Sequence, residues 1–460
     1  MLNQGLTQQQ GGVLDLPTIM PVERTACLPL SLNEQAAWIA TQESPENVYL
    51  NMKMLVLIKT PIDKELLEFA LNAVIELREI LRTTYHQDEK GQLRRKIHES
   101  NPVTIMQHDL ESLDTEQKES RLRYLAQCSE HKRFNLEKLA LFEMILIKLS
   151  EFEYALIFCM HHIIGDGHSV GILLNEVMQC YRALLKKQPI TLAPETINYT
   201  DYASWQQQLY HQGAFKSIVN FWEDKLANAS ELYLPYDRIK YPNSDTNASI
   251  VTLKLDKEKL NHLNAFVTKH KVSLYVPLMG AFQLLLKQIT EQNDLLIETI
   301  LANRLNPERF TMLGVLATDG VALYHVNDEF TVAEFFNKLL EQTLELNKLQ
   351  QDCGSQIYNA IARKIPGQPV VGINFHLQKT DSMSGLPVVL DFSYFLRETL
   401  PGSLDLFLEI WLIRDEIVID FIYRDSVFNK ETIEEFAAIF SKIIDFFLFF
   451  PNKKLNEMML

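Results

Sequence analysis

Hydrophobic residues recur with a strand-like or a helix-like period along most of the chain. Alternation between Val48 and Lys59 predicts a strand, and apolar residues gathered on one side predict a helix from Lys64 to Ile80. The continuous apolar run from Tyr154 to Met160 predicts a buried strand. Spacings of three and four from Val170 to Leu184 predict an amphipathic helix behind it. This succession of strands and helices is typical of an α/β fold.

The second half of the chain contains its own set of predicted elements. Polar residues and prolines between Lys186 and Glu195 indicate a connection between two lobes. Helices are predicted near 260–270 and 274–288, strands at 295–300, 370–377, 404–414 and 416–424, and a closing helix at 431–450. Residues 1–24 are rich in Gln and Gly without periodicity, which predicts a mobile leader. We therefore predict an N-terminal lobe at 25–188 and a C-terminal lobe at 189–460.

A bend rich in polar residues joins the apolar strand to the helix behind it. Residues 160–167 read Met-His-His-Ile-Ile-Gly-Asp-Gly, so two imidazoles, a carboxylate and glycine share one tight turn. Side chains of adjacent residues in an extended stretch point to opposite sides, so His161 and His162 cannot both face one cavity. The bend therefore predicts one histidine that acts on a ligand and one that is packed and hydrogen-bonded.

The bend resembles the HHxxxDG signature of nonribosomal peptide synthetase condensation domains and their relatives in the chloramphenicol acetyltransferase-like superfamily. Further segments that resemble motifs of this family follow in the same order along the chain. They are Leu28–Ser31 with Trp38, Arg78–Thr83, Arg133–Leu136, Tyr199–Trp205, Phe221-Trp222 and Phe421–Phe428. The resemblance implies an α/β fold of two chloramphenicol acetyltransferase-like lobes. It also implies that the lobes form a V-shaped pseudo-dimer with the active site in the channel between them.

The resemblance implies that His162, the second histidine of the bend, faces the channel and takes the proton from an attacking amine or alcohol. An imidazole with an ordinary pKa of about 6.5 can accept a proton at physiological pH. The alternative is that His162 only orients the nucleophile through a hydrogen bond. His161 is expected to be a structural histidine, because it points to the opposite side of the chain.

Three other residues of the bend are candidates for supporting the site. Asp166 is expected to hold the bend through an ion pair, with Arg82 and Arg304 as candidate partners and an Asp–His relay as the alternative. Gly167 permits a positive φ or a close approach of substrate, and its amide is a candidate donor to an oxyanion; the alternative is a glycine needed only for the turn. Ser169 is expected to be a helix N-cap first and a hydroxyl donor second.

Three segments depart from the family pattern, and the first of them is Leu77-Arg78-Glu79 in place of an Arg-His-Glu-like element. Residues 314–320, Gly-Val-Leu-Ala-Thr-Asp-Gly, stand where condensation domains have a Gly-Phe-Phe-Val-Asn-Thr-like segment on the acceptor side, and residues 349–354 lack the usual proline. The acceptor-side candidates are Val315, Leu316, Thr318 and Asp319. Asp319 either attracts a cationic amine or is an ordinary loop aspartate. These departures favour a small free amine or alcohol as acceptor over the usual aminoacyl carrier.

Three conspicuous clusters of side chains are assigned structural roles. The aromatic residues Tyr199, Tyr202 and Trp205 recur at spacings of three and are predicted to pack in the core. The phenylalanines between 446 and 450 are predicted to be interior residues rather than a membrane anchor. Residues 94–96, Arg-Arg-Lys, are predicted to be a solvated charge run, with docking of a carrier protein as the alternative.

Composition limits the partners and the compartment. With 460 residues, 47% of them hydrophobic, the chain can bury sizeable cores. A net charge of −15 argues against nucleic acid, and an acidic carrier protein would need a local basic patch. Five cysteines without metal-type spacing indicate a reducing compartment and predict neither disulfides nor structural zinc. No signal-peptide pattern and no bilayer-length apolar run are present, so we predict a soluble cytoplasmic protein.

The leading hypothesis is a free-standing condensation enzyme. No segment resembles an adenylation domain or a carrier domain with its phosphopantetheine serine, so the chain is expected to act in trans. The resemblance implies acyl transfer from the phosphopantetheine thioester of an acyl or peptidyl carrier protein to an amine or hydroxyl. It implies no metal and no bound cofactor, because the partner supplies the phosphopantetheine arm.

Three alternatives remain open beside this hypothesis. An acyl-CoA-dependent acyltransferase and an epimerase share the superfamily or the histidine motif, whereas heterocyclisation is disfavoured because that branch replaces the two histidines. A non-catalytic docking module belongs to a different class of function. Such modules tend to lose the catalytic histidine, which is present in this chain.

Overall fold

The computed structural model describes residues 16–458 except 26–27, 44–47, 49, 101, 228, 242–246, 305, 351, 358, 360–369, 377–387, 391–403 and 414–415. The elements of the first half are β1 (Leu28–Pro29), α1 (Leu32–Glu43), β2 (Asn51–Ile58), α2 (Lys64–Leu77), β3 (Thr83–Gln87), β4 (Leu93–Ile97), β5 (Met106–Asp109), α3 (Thr115–Glu130), β6 (Phe142–Ser150), β7 (Glu153–His161), α4 (Gly167–Leu185), α5 (Tyr199–His211) and α6 (Lys216–Leu226). The elements of the second half are β8 (Ala248–Leu255), α7 (Lys257–His270), α8 (Tyr275–Thr290), β9 (Asp294–Leu301), α9 (Pro307–Phe310), β10 (Thr318–His325), α10 (Val332–Gln350), β11 (Val371–His376), β12 (Val388–Leu390), β13 (Leu406–Ile413), β14 (Glu416–Arg424) and α11 (Lys430–Phe449).

The first half is built on a five-stranded sheet, the N-terminal sheet, in the order β12-β2-β7-β6-β5. Its central strand β7 pairs antiparallel with β2 and β6, and both of its faces are covered, which explains its unbroken apolar sequence. Helices α2 and α4 pack against each other over one face, and α3 covers the other. The bend after β7 is therefore carried by a buried strand and a buried helix.

The second half is built on a six-stranded sheet, the C-terminal sheet, in the order β10-β9-β11-β13-β14-β8. Helices α7, α8, α10 and α11 pack over one of its faces. The two halves exchange elements across the predicted boundary at 188. Strand β12 adds to the edge of the N-terminal sheet by pairing with β2, and α5 packs against β1 and α1.

The predicted helix at 64–80 ends earlier than its hydrophobic pattern suggested. Helix α2 ends at Leu77, because Arg78 adopts an extended conformation with φ −102° and ψ 96°. A short 3₁₀ turn then runs from Glu79 to Arg82. The guanidinium of Arg78 pairs with Glu176 of α4 and with Glu195, so the change of direction at this residue ties α2 to α4 and to the connection after it.

The prediction of a mobile leader is wrong for residues 16–24. Trp205 Nε1 donates a hydrogen bond of 2.7 Å to the Pro17 carbonyl, and the Val22 amide donates one of 2.8 Å to Asp201 Oδ1. Arg24 pairs with the same aspartate at 2.7 Å. The segment follows α5 as extended chain held largely through its backbone, which leaves no hydrophobic period to detect. Residues 1–15 lie outside the described residues.

The prediction of a solvated charge run at 94–96 is wrong for its central residue. Strand alternation in β4 points Arg95 inward, where its guanidinium is fully buried and pairs with the fully buried Glu34. Glu34 Oε1 also accepts a hydrogen bond of 2.8 Å from Tyr85, whose hydroxyl lies 3.3 Å from the Ile163 carbonyl. A buried ion pair therefore stands directly beneath the histidine bend.

The predicted burial of the aromatic clusters is confirmed in part. Tyr199, Tyr202 and Trp205 are buried, as predicted, and Phe446 and Phe447 are interior residues. The prediction is wrong for the last two phenylalanines, since residues 449 and 450 are 64% and 48% exposed at the end of α11. Within the described part of the chain, no single helix has the length and apolar character to cross a membrane; one pair, α7 and α8, satisfies both criteria jointly but is bent by 105°.

Candidate active site

The histidine bend lies at the carboxyl end of β7. Its chain direction is fixed by two backbone hydrogen bonds, from the His161 amide to the Leu141 carbonyl at 2.9 Å and from the His162 amide to the Leu50 carbonyl at 2.7 Å. A 3₁₀ turn from His162 to Ile164 follows, and α4 begins at Gly167. The first histidine is thus the last residue of a buried strand, and the second begins the turn.

His161 is a buried residue with partners on both ring nitrogens. Nδ1 accepts a hydrogen bond from the Ile163 amide at 3.2 Å, and Nε2 lies 3.2 Å from Thr41 Oγ1, which itself donates to the Ala37 carbonyl. The neutral ring therefore carries its proton on Nε2 and donates it to Thr41. Burial, with a smaller contribution from the neighbouring His162, lowers the pKa of His161 to about 3. These contacts support the structural role expected for this residue.

Acid should destabilise the protein through His161. The unfolded chain takes up a proton on this ring below pH 6.5, but the folded protein does so only near pH 3, so the stabilising contribution of His161 is lost as the pH falls through this window. One proton corresponds to about 1.4 kcal/mol per pH unit. Between pH 7 and pH 5 the wild type should lose about 2 kcal/mol more stability than His161→Asn, measured by denaturant unfolding. An unchanged pH dependence in His161→Asn would contradict the assignment.

His162 and Asp319 come together from opposite halves of the molecule. The His162 side chain is half-buried, and Asp319, in strand β10 of the C-terminal sheet, is solvent-exposed. Burial raises the pKa of Asp319, whereas a positive charge on His162 lowers it, so the two groups interact electrostatically. His162 lies at the end of the N-terminal sheet's central strand, and Asp319 lies in the edge strand of the C-terminal sheet. The two side chains therefore meet where the two halves adjoin, at a place that solvent reaches.

Asp166 is held by an ion pair with Arg304. Arg304 Nη2 lies 2.9 Å from Oδ1 and 3.1 Å from Oδ2 of the carboxylate, and both side chains are almost fully buried. The amides of Leu316 and Ala317 donate to Oδ2 at 3.1 and 3.0 Å. Burial alone would raise the pKa of Asp166, but Arg304 and these hydrogen bonds hold it below its usual value. The geometry favours the ion pair over an Asp–His relay.

Three expectations for the supporting residues need correction. Arg82 does not pair with Asp166; its guanidinium donates to the His98 carbonyl instead. The N-cap of α4 is Asp166 rather than Ser169, whose amide donates to Asp166 Oδ1 at 2.8 Å from the third helical position. Gly167 does not adopt a positive φ, because it already lies within the helix, and it is exposed to solvent.

The segment 314–320 is positioned mainly through its backbone. A Cβ on Gly314, which has φ +152°, would come within 2.0 Å of the Tyr199 ring. The Tyr199 hydroxyl donates to the Val315 carbonyl at 2.9 Å, and Ser169 Oγ lies 2.9 Å from the Gly314 carbonyl. This segment of the second half is therefore fastened to the histidine bend, α4 and α5 of the first.

The side chains of three of the four acceptor-side candidates are buried. Val315, Leu316 and Thr318 are buried at 4%, 0% and 6% exposure, because their backbone is drawn onto Asp166 and α5 and their side chains enter the core. Asp319 is exposed and lies near His162. Of the predicted set, Asp319 alone has a side chain available to a ligand.

Sequence reasoning missed a further histidine beside the bend. His376, at the end of β11, has its Cε1 3.8 Å from the point where a Cβ on Gly167 would lie. Its ring stacks on Trp411 with centroids 3.6 Å apart and planes 8° from parallel. The sequence signal was the pair of polar residues Asn374 and His376, spaced by two in a strand that is otherwise largely apolar.

Among the described residues, no group of three or more His, Cys, Asp or Glu side chains is arranged to hold a metal ion. The polar groups near the bend include three imidazoles, two carboxylates and one guanidinium. Of these, His162, Asp319 and His376 have solvent access, whereas His161, Asp166 and Arg304 are buried and hold the loop. The arrangement suits transfer of a proton to or from a bound substrate.

Comparison with known proteins gives a consistent family and fold. A model of the condensation domain matches residues 26–460. Bacitracin synthase 1 of Bacillus licheniformis is 26% identical over 428 residues, which cover 91% of this chain and 8% of that protein. Malpinin synthetase of Mortierella alpina is 26% identical over 441 residues, which cover 94% of this chain and 6% of that protein. The chain thus spans less than a tenth of the length of either relative.

Solved structures share the fold at low sequence identity. The X-domain from teicoplanin biosynthesis, also solved in complex with OxyB, has a TM-score of 0.78 and 22% identity, covering 96% of this chain and all of the other. The starter condensation domain of rhizomide synthetase RzmA, solved as a point mutant in complex with C8-CoA, has a TM-score of 0.80 and 16% identity, covering 95% of this chain and 98% of the other. The fold predicted from the histidine bend is confirmed.

Proposed function

The chain belongs to the condensation-domain family, and we propose that it transfers an acyl group from the phosphopantetheine thioester of a carrier protein to an amine or hydroxyl. The product is an amide or ester in nonribosomal peptide or related natural-product biosynthesis. One observation carries the proposal: His162 is half-buried near the exposed Asp319, on a bend whose other polar side chains, His161 and Asp166, are buried and hydrogen-bonded.

The chemistry assigned to this site needs one proton acceptor. As the nucleophile forms its bond to the thioester carbonyl, His162 takes the proton from the amine or hydroxyl. Collapse of the tetrahedral intermediate breaks the carbon–sulfur bond, and the thiolate of the arm receives that proton from His162. The amide of Gly167, at the start of α4, is the candidate donor to the oxyanion. Asp166 holds the bend, since Arg304 and backbone amides occupy its carboxylate.

We assign Asp319 to the nucleophile side of the site. Its exposed carboxylate lies close enough to His162 to interact with it, so it stabilises the imidazolium that forms and attracts a cationic amine. Because Val315 and Leu316 are buried, they give no support to an acceptor pocket that differs in shape from that of the family. The proposal of a small free acceptor therefore rests on Asp319.

Changing Asp319 should separate cationic from neutral acceptors. Asp319→Asn should raise the KM for a small cationic amine about fivefold, corresponding to roughly 1 kcal/mol for a solvent-accessible ion pair, and leave the KM for a neutral alcohol nearly unchanged. The control is Asp294→Asn, which removes an exposed aspartate from β9 of the same sheet. Equal effects on both acceptors would contradict the assignment.

A competition assay tests the nature of the acceptor. One acyl-loaded donor carrier is mixed with a soluble small nucleophile and an aminoacyl carrier, and products are identified by mass. The proposal predicts acyl transfer to the soluble nucleophile. Product formed only on the second carrier would contradict the free acceptor and leave the condensation chemistry standing.

Two comparisons motivate alternative arms of this experiment. Because the RzmA starter domain was solved with C8-CoA, acyl-CoA is offered as a second donor, and transfer from CoA alone would favour a CoA-dependent acyltransferase. Because the X-domain was solved with OxyB, a docking function is the second candidate. Retention of His162 favours catalysis, and full activity of a folded His162→Ala protein would favour docking.

A further inference from the structure

His376 is fixed in place on the C-terminal sheet by its neighbours. It lies directly opposite Trp411 in the parallel pairing of β11 with β13, and the two rings stack. Strand alternation puts Asn374 on the same face of β11 and Glu409 on the same face of β13. Nε2 of the imidazole lies 3.1 Å from Asn374 Nδ2 and 4.0 Å from Glu409 Oε1.

These contacts define which ring nitrogen of His376 carries the proton. Asn374 Oδ1 accepts a hydrogen bond of 2.9 Å from the Phe375 amide, so the amide nitrogen of Asn374 faces the imidazole and donates to Nε2. In the neutral ring the proton then resides on Nδ1. In the described part of the chain, Nδ1 has no hydrogen-bond partner, and 27% of the side chain is exposed.

The ring edge of His376 is turned toward the start of α4. Cε1, which lies between Nδ1 and Nε2, is 3.8 Å from the position that a Cβ on Gly167 would occupy. Since Asn374 occupies Nε2, Nδ1 is the ring nitrogen beside Cε1 that is left to donate. Gly167 is exposed, so substrate can reach the space beside this edge. The site thus has two sides, His162 with Asp319 and Gly167 with His376, which the histidine bend connects.

We propose that His376 donates a hydrogen bond from Nδ1 to the carbonyl oxygen of the acyl substrate. The inference rests on the proposed function. As the nucleophile attacks, the π electrons of the carbonyl move onto this oxygen, and His376 binds the resulting oxyanion together with the Gly167 amide. When the intermediate collapses, the carbonyl re-forms, the carbon–sulfur bond breaks, and the proton taken by His162 goes to the thiolate. His376 thus stabilises charge on the electrophile, whereas His162 takes the proton from the nucleophile.

His376→Phe tests this role with little change in shape. The phenyl ring can keep the stack on Trp411 but lacks the donor. Turnover should fall about 10²-fold or more, the range observed when one oxyanion donor is removed, while the KM for the loaded carrier stays within about threefold. His376→Gln restores an N–H donor, so its turnover should be at least about tenfold higher than that of His376→Phe. The control His325→Phe removes an exposed histidine from β10 of the same sheet and should behave as wild type.

Folding is checked by thermal melting, and His376→Leu is a second variant without a donor. Turnover is compared for the Phe or Leu variant that melts within about 3 °C of the wild type. A shift of that size corresponds to a loss of stability of roughly 1 kcal/mol. Wild-type turnover in that variant, or a Gln variant no better than Phe, would overturn the inference. Absence of acyl transfer by the wild type itself would contradict the proposed function, so the two failures are distinguishable.

Discussion

Replacing Asp166 by alanine is expected to lower the free energy of unfolding by about 3 to 5 kcal/mol, the cost of leaving one partner of a buried ion pair uncompensated. The guanidinium of Arg304, a residue that is only 7% exposed, would remain charged without its partner. The Ser169, Leu316 and Ala317 amides would lose their acceptor as well. Since these amides belong to both halves of the chain, the loss acts on the contact between the halves. The measurement is denaturant unfolding, supported by thermal melting.

Asp114→Ala is the matched control for this change. Asp114 is also a helix N-cap, accepting from the Gln117 amide at 2.9 Å, but it is exposed and lies at the start of α3. Its loss should cost only about 1 kcal/mol, the usual value of an N-cap. The difference between the two variants gives the combined contribution of the ion pair with Arg304 and the hydrogen bonds from Leu316 and Ala317. If Asp166→Ala melted like the wild type and yet lost all activity, the carboxylate would have to be reassigned to orienting His162.

His162→Ala is expected to reduce acyl transfer by about 10²-fold or more while the protein remains folded, because a positioned base typically contributes 10²- to 10⁴-fold in rate. The side chain is only half-buried, so its removal leaves no large cavity in the core. His161→Ala should differ, since His161 is 4% exposed and bonded through both nitrogens. That variant should lose stability at least as strongly as activity.

The contrast between the two histidines is measured as turnover and melting temperature on the same preparations. Near-wild-type turnover in a folded His162→Ala protein would contradict the general-base assignment. It would favour the docking function instead. His162→Gln separates the two remaining roles, because glutamine can still orient a nucleophile by a hydrogen bond but cannot take up its proton.

The parts of the fold with a clear hydrophobic period were predictable. Strand β7 has both faces buried and so carries an unbroken apolar run, and α4 shows its core side at spacings of three and four. The end of α2 was not predictable, because the apolar pattern continues past the point where Arg78 turns toward Glu176. Arg95 looked like part of a surface charge run, since its partner Glu34 is distant in sequence.

The residues of the site that lie within one sequence motif were predictable. Those that distant segments of the chain contribute were not. The roles of His161 and His162 follow from their alternation in an extended chain, but the choice of Arg304 for Asp166 depends on a contact across 138 residues. Val315 and Leu316 are apolar, which fits a pocket wall and a core equally well. His376 joins the site only through the packing of β11 against the start of α4.

Acyl transfer by this chain is measured as the intact mass of an acyl-loaded carrier protein after incubation with the chain and a panel of small amines and alcohols. We expect the carrier to return to the mass of its free phosphopantetheine form and an acylated acceptor to accumulate in equal amount. With His162→Ala both changes should slow about 10²-fold or more. A carrier that keeps its acyl group with every acceptor, while the wild-type protein is folded, would contradict the proposed acyl transfer.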